Sequence, residues 1–451
     1  MPPPTPPPAK PPPAWRSAWL IETLSELPPS GGGSSVGGSV GAERSIVPLD
    51  SDDDDPVPAA KPDDDRPRLP PRRPTDVAHD EDPVDVSWAF VEMLIDSDVD
   101  FETECRWHRP SRGVIYAAEP TSHTIVKVEP DRHCSHWVGR ARKSGFVDGF
   151  CSSALLSCPS GVTVDTLTGD AFIADSGNNA IRWASPAGEV TTLAGGGPSR
   201  PGFADGRATA GRFNLPTAVS AVRRSTEVDI FVLDTRNSAL RKVSSPAGDV
   251  TTVARGLRGA EGLHVICAHG DERIALVTEG IQHRLVAVDV ASGEIVHLCG
   301  SARGDDGDAE GAPDDARLYF PAGVTATVDH EAPADDDHLH FIVFLSDSEN
   351  HRIRGLRLRI EAPGSEASVG PRKRVTCGKS VLIVGDVFDV GGDEAPGFAD
   401  GEADESSWHN PRGMVPMYPA PAGPVVLVAD FRNAAVRSIR FARVVDDDAR
   451  P

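Results

Sequence analysis

Short apolar runs interrupted by Asp, Asn and Gly divide most of this chain into segments typical of β-strands and tight turns. One complete phrase reads Phe172-Ile173-Ala174-Asp175, passes Asn178 to Ile181-Arg182, and closes with residues 190–195, Val-Thr-Thr-Leu-Ala-Gly. Its runs are rich in β-branched and aromatic residues and are too short for helices. The phrase therefore predicts a small antiparallel sheet.

The same phrase recurs, and each clear copy keeps an Asp, an Asn three residues later and then an apolar residue followed by Arg. The copies are Asp175 with Asn178, Asp234 with Asn237, Asp347 with Asn350, and Asp430 with Asn433. Asx side chains bond nearby backbone amides, so the Asp-x-x-Asn unit suits a hairpin turn. Alternation along the next strand predicts an apolar side chain in the core and an Arg in solvent. Because the Asp recurs in every clear copy, we expect it to be structural rather than catalytic.

A second phrase, Gly-Phe-Ala-Asp-Gly, joins successive units. It occupies residues 202–206 and 397–401, and a related form lies at 145–149. Asp-Gly is a turn signal, which assigns Asp205 and Asp400 to turns. An aromatic side chain beside such a turn can pack between neighbouring sheets. We therefore expect Phe203 and Phe398 to be buried between adjacent sheets.

Together the two phrases resemble the NHL repeat, the blade unit of a family of β-propellers, over about residues 110–440. The resemblance implies an all-β fold with six blades of four strands around a central channel. Two weaker units pass through Glu119 and Glu279, where Glu replaces the Asp and the Asn is missing. The last unit lacks its own Val-Thr-Thr strand. We expect the apolar stretch 84–95 to complete that blade and close the ring, with a short external helix as the alternative.

Composition divides the chain into three parts. Residues 1–83 read as a disordered, low-complexity tail rich in Pro, Gly and Asp, because such a sequence buries too little apolar surface to offset its ordering entropy. Residues 84–445 form the expected propeller, and 446–451 form a short disordered acidic tail. One island in the first tail, Trp15, Trp19, Leu24 and Leu27, either forms a short helix that docks to a partner or is a chance apolar patch.

The formal net charge is −23. A basic patch or a high isoelectric point marks most nucleic-acid-binding domains, so nucleic acid is not the expected partner. One local cluster remains as a basic candidate: Arg352, Arg354, Arg357, Arg359, Arg372, Lys373 and Arg374. We expect these residues to face solvent on alternating strands. No apolar run is long enough for a membrane span. The start lacks a secretory signal, and seven cysteines form no disulfide framework, so an intracellular, cytoplasmic location is expected.

The motifs of common catalytic sites do not occur in this sequence. His133 with His136 and His338 with His340 each offer two imidazoles, whereas zinc sites need three or four ligands. We therefore expect no catalytic, cofactor or metal residues. The favoured function is a recognition scaffold that binds a protein or peptide on one rim. The alternatives are a propeller lyase or hydrolase with a metal in the channel, which the resemblance allows, and RNA binding on a local basic face. The oligomeric state stays open.

Overall fold

The computed structural model describes residues 15–26, 91–95, 113–129, 133–269, 272–329, 331–333, 337–361, 372–393, 395–417, 425–433 and 435–445. Over these residues the chain forms six antiparallel sheets, and each sheet is one blade of a β-propeller. Strands are numbered in chain order and blades in the order of their inner strands. The first strand, β1 (Trp15–Glu26), belongs to the last blade.

The first three blades follow one another directly along the chain. Blade 1 contains β2 (Val91–Ile95), β3 (Gly113–Glu119), β4 (Thr124–Val128) and β5 (Cys134–Val138). Blade 2 contains β7 (Pro159–Val164), β8 (Ala171–Asp175), β9 (Ala180–Ala184) and β10 (Glu189–Gly195), with β6 (Gly149–Phe150) on its outer edge. Blade 3 contains β12 (Pro216–Arg223), β13 (Val228–Asp234), β14 (Ala239–Ser245) and β15 (Asp249–Arg255), with β11 (Gly206–Arg207) on its edge.

The other three blades repeat the arrangement. Blade 4 contains β16 (Ala260–Cys267), β17 (Arg273–Glu279), β18 (Arg284–Asp289) and β19 (Ile295–Gly300). Blade 5 contains β20 (Pro321–Val328), β21 (Leu339–Asp347), β22 (Arg352–Ile360) and β24 (Ser380–Gly391), with β23 (Lys373–Cys377) outside. Blade 6 contains β26 (Pro411–Met417), β27 (Val425–Asp430), β28 (Ala435–Val445) and β1, with β25 (Gly401–Glu402) outside.

Short 3-10 turns complete the described secondary structure. Five of them follow the second strand of a blade: Ser176–Asn178, Thr235–Asn237, Gly280–Gln282, Ser348–Asn350 and Phe431–Asn433. Two more, Cys151–Ser153 and Ala208–Ala210, lie in links between blades. The turns place the Asp-x-x-Asn units where the sequence predicted a hairpin connection.

The inner strands close a ring around the channel. Each of β2, β7, β12, β16, β20 and β26 contacts the inner strands of both neighbouring blades, and β26 contacts β2. Their backbones approach closely: a Cβ added to Gly161 would lie 2.5 Å from the carbonyl oxygen of Thr217 on the next inner strand. The core lies between blades, in clusters of buried aliphatic and aromatic side chains that neighbouring sheets share.

The strand that closes the ring differs from the expected one. β1 pairs with β28 along almost its whole length, so it is the fourth strand of blade 6. Within the stretch 84–95, the described residues 91–95 form β2, the inner strand of blade 1, and the rest of the stretch lies outside the described residues. The sequence explains the pairing, because Ile21-Glu22-Thr23-Leu24-Ser25 repeats the pattern of residues 190–194. Both stretches carry a β-bulge at the same step, between Thr23 and Ser25 and between Thr192 and Ala194.

The helix interpretation of the Trp15 island is therefore wrong, since residues 15–26 form an extended strand. The propeller begins with β1 and not at residue 84, and part of the segment assigned to the tail is a blade strand. The other residues of 1–83, Leu27 included, lie outside the described residues, and so do residues 446–451.

Strand direction gives the propeller two distinct faces. Links between blades enter the inner strand at the same end at which the second strand passes into its 3-10 turn. We call this side the connection face. Loops between the first and second strands and between the third and fourth strands lie on the other side, the opposite face.

Candidate functional site: the connection face

A buried Asp–Arg pair lies beneath the connection face of blade 3. Asp234 accepts hydrogen bonds from the backbone N–H of Asn214 (2.7 Å), from Asn237 Nδ2 (2.8 Å) and from Arg241 Nη1 (2.8 Å). Both side chains of the Asp234–Arg241 pair are 0% exposed. The other terminal nitrogen of Arg241 donates to Asp205 Oδ1 (2.7 Å), whose side chain is 50% exposed. The pair thus joins the turn, the third strand and the Gly-Phe-Ala-Asp-Gly link.

Blades 2 and 6 contain the same network. In blade 2, Arg182 binds Asp175 and Asp148, each at 2.7 Å. In blade 6, Arg437 binds Asp430 and Asp400, each at 2.9 Å. The Asn of each turn again bonds the Asp at 2.8 Å. Because three networks share one geometry, each repeated Asp is held in the same way.

Blade 5 varies the network. Arg354 Nε lies 3.1 Å from Asp347 Oδ2, and the terminal nitrogens bind Asp308 and Asp389. Asn350 Nδ2 keeps its bond to Asp347 at 2.8 Å. Asp389 stands opposite Arg354, where Thr192 and Thr252 stand opposite the arginines of blades 2 and 3. A second carboxylate thus replaces a hydroxyl beside this arginine.

These contacts correct the expectation that the repeated Arg faces solvent. Arg182, Arg241, Arg354 and Arg437 are among the largest fully buried side chains. Strand alternation does turn each of them away from its apolar neighbour, but toward the link that leads into its own blade rather than toward water. Burial raises the pKa of Asp175 to about 6, although Arg182 and the bonds from Asn178 and Ser157 oppose the rise. Burial likewise raises the pKa of Asp347 to about 7.

The aromatic residues of the second phrase also lie elsewhere than expected. Phe398 is 48% exposed, and Phe203 is half-buried. Phe203 stacks on Arg241, with the guanidinium carbon 4.4 Å from the ring centroid, and Phe398 lies over Arg437 at 5.4 Å. Both rings cover a buried guanidinium instead of filling the space between sheets.

A different position fills the space between sheets, three residues before the first residue of the inner strand. Fully buried side chains occupy it at five blade junctions: Leu156, Phe213, Leu257, Leu318 and Trp408. Phe213 packs among residues of blades 2 and 3, and Trp408 among residues of blades 5 and 6. The sequence signal was a large apolar residue at fixed distance before the strand-starting Pro or Ala.

A second inter-blade contact was not anticipated from the sequence. The residue directly before the third strand is left-handed in blades 1 to 5, and four of these side chains accept a backbone N–H from the next blade. His123, His283 and His351 accept through Nδ1 from Cys158, Phe320 and Asn410 at 3.0, 3.1 and 3.1 Å. Asn179 accepts through Oδ1 from Leu215 at 2.9 Å. The signal was a His or Asn four residues after the Asp or Glu in four of the six repeats.

Charge divides the connection face into two halves. Seven exposed basic side chains lie on the connection face, in and beside the links that lead into blades 2, 3 and 4 (residues 139–158, 196–215 and 256–259): Arg140, Arg142, Lys143, Arg200, Arg236, Arg255 and Arg258. We call these seven residues the basic sector. The same three links contain only two acidic residues, Asp148 and Asp205, and both bind the buried arginines. Among the described residues, no carboxylate forms an ion pair with any member of the basic sector.

The other half of the face is acidic. The link from blade 4 to blade 5 (residues 301–320) carries six acidic and two basic residues, and the link from blade 5 to blade 6 (residues 392–410) carries six acidic and no basic residues. An overall acidic protein thus presents one basic sector, and it lies across three consecutive junctions of a single face.

The arginine cluster proposed from the sequence is not a free basic surface. Six of its seven members bind carboxylates, and Arg354 is buried rather than solvent-facing. The pairs include Arg357 with Asp329 (2.9 Å), Arg374 with Glu361 (2.8 Å) and Lys373 with Asp314 (2.6 Å). Arg372 is exposed.

The histidine pairs occupy separate sites. His338 and His340 lie with ring centroids 6.3 Å apart, and His136 Nδ1 lies 3.0 Å from Thr124 Oγ1. Within the described ranges, no three His, Cys, Asp or Glu side chains converge in the manner of a metal site. No helix in the part of the chain that the structure describes is long and apolar enough to cross a membrane.

Known proteins resemble the chain in sequence over a part and in fold over most of its length. No family model matches. The chain is 35% identical over 104 residues to NHL repeat-containing protein 2 of Homo sapiens, a match that covers 23% of this chain and 14% of the human protein. The chain therefore spans only a small part of that relative.

Solved propeller structures share the fold at low identity. A structural genomics protein of unknown function from Bacteroides thetaiotaomicron VPI-5482 is 12% identical, with a TM-score of 0.52 over 94% of this chain and 76% of that chain. An auxiliary nutrient binding protein from Bacteroides ovatus ATCC 8483 is 15% identical, with a TM-score of 0.50 over 79% and 69% of the two chains. With the six sheets, they show that the chain is a six-bladed β-propeller. The partial match to the human protein supports assignment of its repeats to the NHL type.

Proposed function

We propose that the protein is a recognition scaffold whose connection face binds a partner protein, with the basic sector holding an acidic peptide segment of that partner. Propellers bind partners through the loops at the ends of their blades, and a fold alone does not specify the partner. The observation that carries the proposal is the set of seven exposed basic side chains that form no ion pair with a described carboxylate, in a chain of net charge −23.

The contrast with the rest of the surface supports this reading. Away from the basic sector, many exposed arginines pair with neighbouring acids, such as Arg224 with Asp229 at 2.8 Å and Arg357 with Asp329 at 2.9 Å. Arginine left without an acid at a surface is suited to bidentate recognition of carboxylates on another molecule. The acidic half of the same face repels an acidic segment, so the segment is confined to the links into blades 2, 3 and 4.

The repeated Asp, Asn and Arg residues support the face without forming a catalytic site. The same network occurs in three blades with matching distances, whereas a catalytic centre needs one distinct constellation. We therefore assign Asp175, Asp234, Asp347 and Asp430 to the framework that holds the links in place.

Fluorescence anisotropy with a short labelled peptide of Asp, Glu and Phe tests the proposal. We expect saturable binding to the full chain that weakens as salt rises, because exposed charges are screened beyond about 10 Å at 0.1 M salt. The double variant R140E/R142E should bind the peptide at least tenfold more weakly. The matched double variant R372E/K379E changes the same charge outside the basic sector and should bind as the parent does.

Two results would contradict the proposal. One is equal peptide binding by the parent protein and by R140E/R142E. The other is binding of single-stranded RNA in place of the peptide, with the same loss in R140E/R142E, which would support the RNA alternative. A peptide with Lys in place of Asp and Glu serves as the charge control.

A further inference from the structure

The channel mouth on the connection face carries a carboxylate and a guanidinium that do not pair with each other. Glu261 and Arg412 are each the second residue of an inner strand, on blades 4 and 6, and both side chains are half-buried. Blade 5 places the small Ala322 at the same position between them. The two charged groups therefore flank a gap at the rim of the channel.

Arg412 is held in place and keeps its terminal nitrogens available. Its Nε donates to Asn410 Oδ1 at 3.1 Å, and its guanidinium carbon lies 4.9 Å from the ring centroid of Phe431 and 5.8 Å from that of Phe320. The nearby Glu349 accepts a bond from Asn410 Nδ2 at 2.9 Å instead of pairing with this arginine. Among the described residues, no acceptor binds the terminal nitrogens of Arg412. They form a fork suited to a carboxylate.

Glu261 lies on the other side of the same aromatic ring. A Cβ added to Gly280 would lie 3.0 Å from Glu261 Cγ and 3.3 Å from the ring of Phe320, so Glu261 and Phe320 converge on one point. No described residue donates a hydrogen bond or pairs a cation with this carboxylate. Burial raises its pKa, and Arg412 partly offsets the rise. A carboxylate shielded from water without a partner is costly unless a donor reaches it.

We propose that the channel mouth binds a zwitterionic amino acid or short peptide. Its ammonium group is bound by Glu261, its carboxylate by Arg412, and its apolar part packs on Phe320. The order of groups across the gap (carboxylate, aromatic ring, guanidinium) matches the order of charges and apolar surface in such a ligand. The site lies on blades 4 to 6, whereas the basic sector lies at the links into blades 2 to 4, so this inference stands apart from the proposed binding of an acidic segment.

Isothermal titration of the full chain with the peptide Gly-Phe-Gly tests the inference. We expect saturable binding, and we expect N-acetylation or C-amidation of the peptide to weaken it at least about tenfold, because each removes one charge–charge contact. E261Q should weaken binding of the free peptide but leave that of the acetylated peptide unchanged. R412M should weaken the free peptide and leave the amidated one unchanged.

Controls keep the outcome decisive. S160A changes the equivalent position of β7, on the other side of the channel, and should bind as the parent does. If R412M fails to fold, R412K takes its place. R412K keeps the positive charge but lacks the two-nitrogen fork, so it should still bind the free peptide more weakly than the parent does. Titration with free phenylalanine shows whether one residue suffices. Absence of saturable binding by both Gly-Phe-Gly and phenylalanine would overturn the inference, as would equal affinities for free and blocked peptides.

Discussion

Arg241 donates to Asp234 across 2.8 Å, and both side chains are fully buried between the turn of blade 3 and the link that leads into it. The same relationship joins Arg182 to Asp175 and Arg437 to Asp430. A buried charge pair is destabilised strongly when one member is removed, because the other charge stays in a poorly solvated place. The repeat therefore owes its Asp to an ionic contact as much as to turn geometry.

Replacement of Asp234 by Asn should lower the free energy of unfolding by about 3–5 kcal/mol, because it leaves Arg241 without its buried counter-charge. D205N is the matched control: it removes a carboxylate from the same arginine, but that carboxylate is 50% exposed, so its loss should cost about 1 kcal/mol or less. Urea denaturation followed by circular dichroism measures both. A small effect of D234N would mean that Asp234 only forms the turn.

Truncation of the buried junction aromatic should matter far more than truncation of the exposed one. F213A should cost about 3–5 kcal/mol, since Phe213 is fully buried between blades 2 and 3. F398A should cost about 1 kcal/mol, the order of a stacking contact with Arg437. The melting temperatures of the two variants measure this difference. If F398A melted at a lower temperature than F213A, the inter-blade core would lie at the Gly-Phe-Ala-Asp-Gly phrase instead.

The histidine contacts between blades predict a loss of stability in acid. Burial lowers the pKa of His123 and of His351, and His409, Glu349 and Arg432 also face His351. Protonation of Nδ1 would remove the acceptor of the inter-blade bond. The unfolded chain binds these protons first, at its ordinary pKa of about 6.5. The stabilisation is therefore complete above that pH and is lost as pH falls through the lowered pKa of the folded state.

The double variant H123N/H351N should lose less stability than the parent protein as pH falls. Blade 2 already uses Asn179 at the equivalent position, with an oxygen acceptor at 2.9 Å that does not titrate. The buried Asp residues have raised pKa values, which change stability with pH in the opposite sense. Both proteins contain them, so the difference between the pH profiles of parent and variant cancels their contribution. Parallel pH profiles of the melting temperature for parent and variant would show that these bonds do not carry the effect.

Removal of β1 should open the ring. A variant without residues 2–26 leaves the edge of β28 unpaired along its length, and exposed strand edges promote aggregation. We expect a lower melting temperature and concentration-dependent association. The variant without residues 2–12, which keeps β1, is the control and should melt as the full chain does. If both deletions behave alike, β1 contributes nothing to closure.

Local periodicity sufficed to predict the strands, the repeat and the blade count, because each unit carries its own apolar alternation and turn residues. It failed for Arg241 and its equivalents, since alternation shows which side of a strand a residue occupies but not what covers that side. It failed for β1 because the Val-Thr-Thr pattern is degenerate there and lies far in sequence from its partner strand. Both failures concern contacts between distant segments.

The charge pattern of the face could not be predicted for a related reason. Arg140, Arg200 and Arg258 lie far apart in the sequence and are brought together only because the three links that hold them share one side of the ring. The net charge of the whole chain is acidic and does not indicate the basic sector. The basic residues can be read from the sequence, but their proximity to one another follows only from the fold.

Hydrogen exchange measured with and without the bound acidic peptide tests the central claim, that the connection face binds a partner through its basic sector, most directly. We predict slower exchange in the links 139–158 and 196–215 when the peptide is bound, and no change in the loops 165–170 and 224–227 on the opposite face. Protection confined to the opposite face, or spread equally over both faces, would contradict the account.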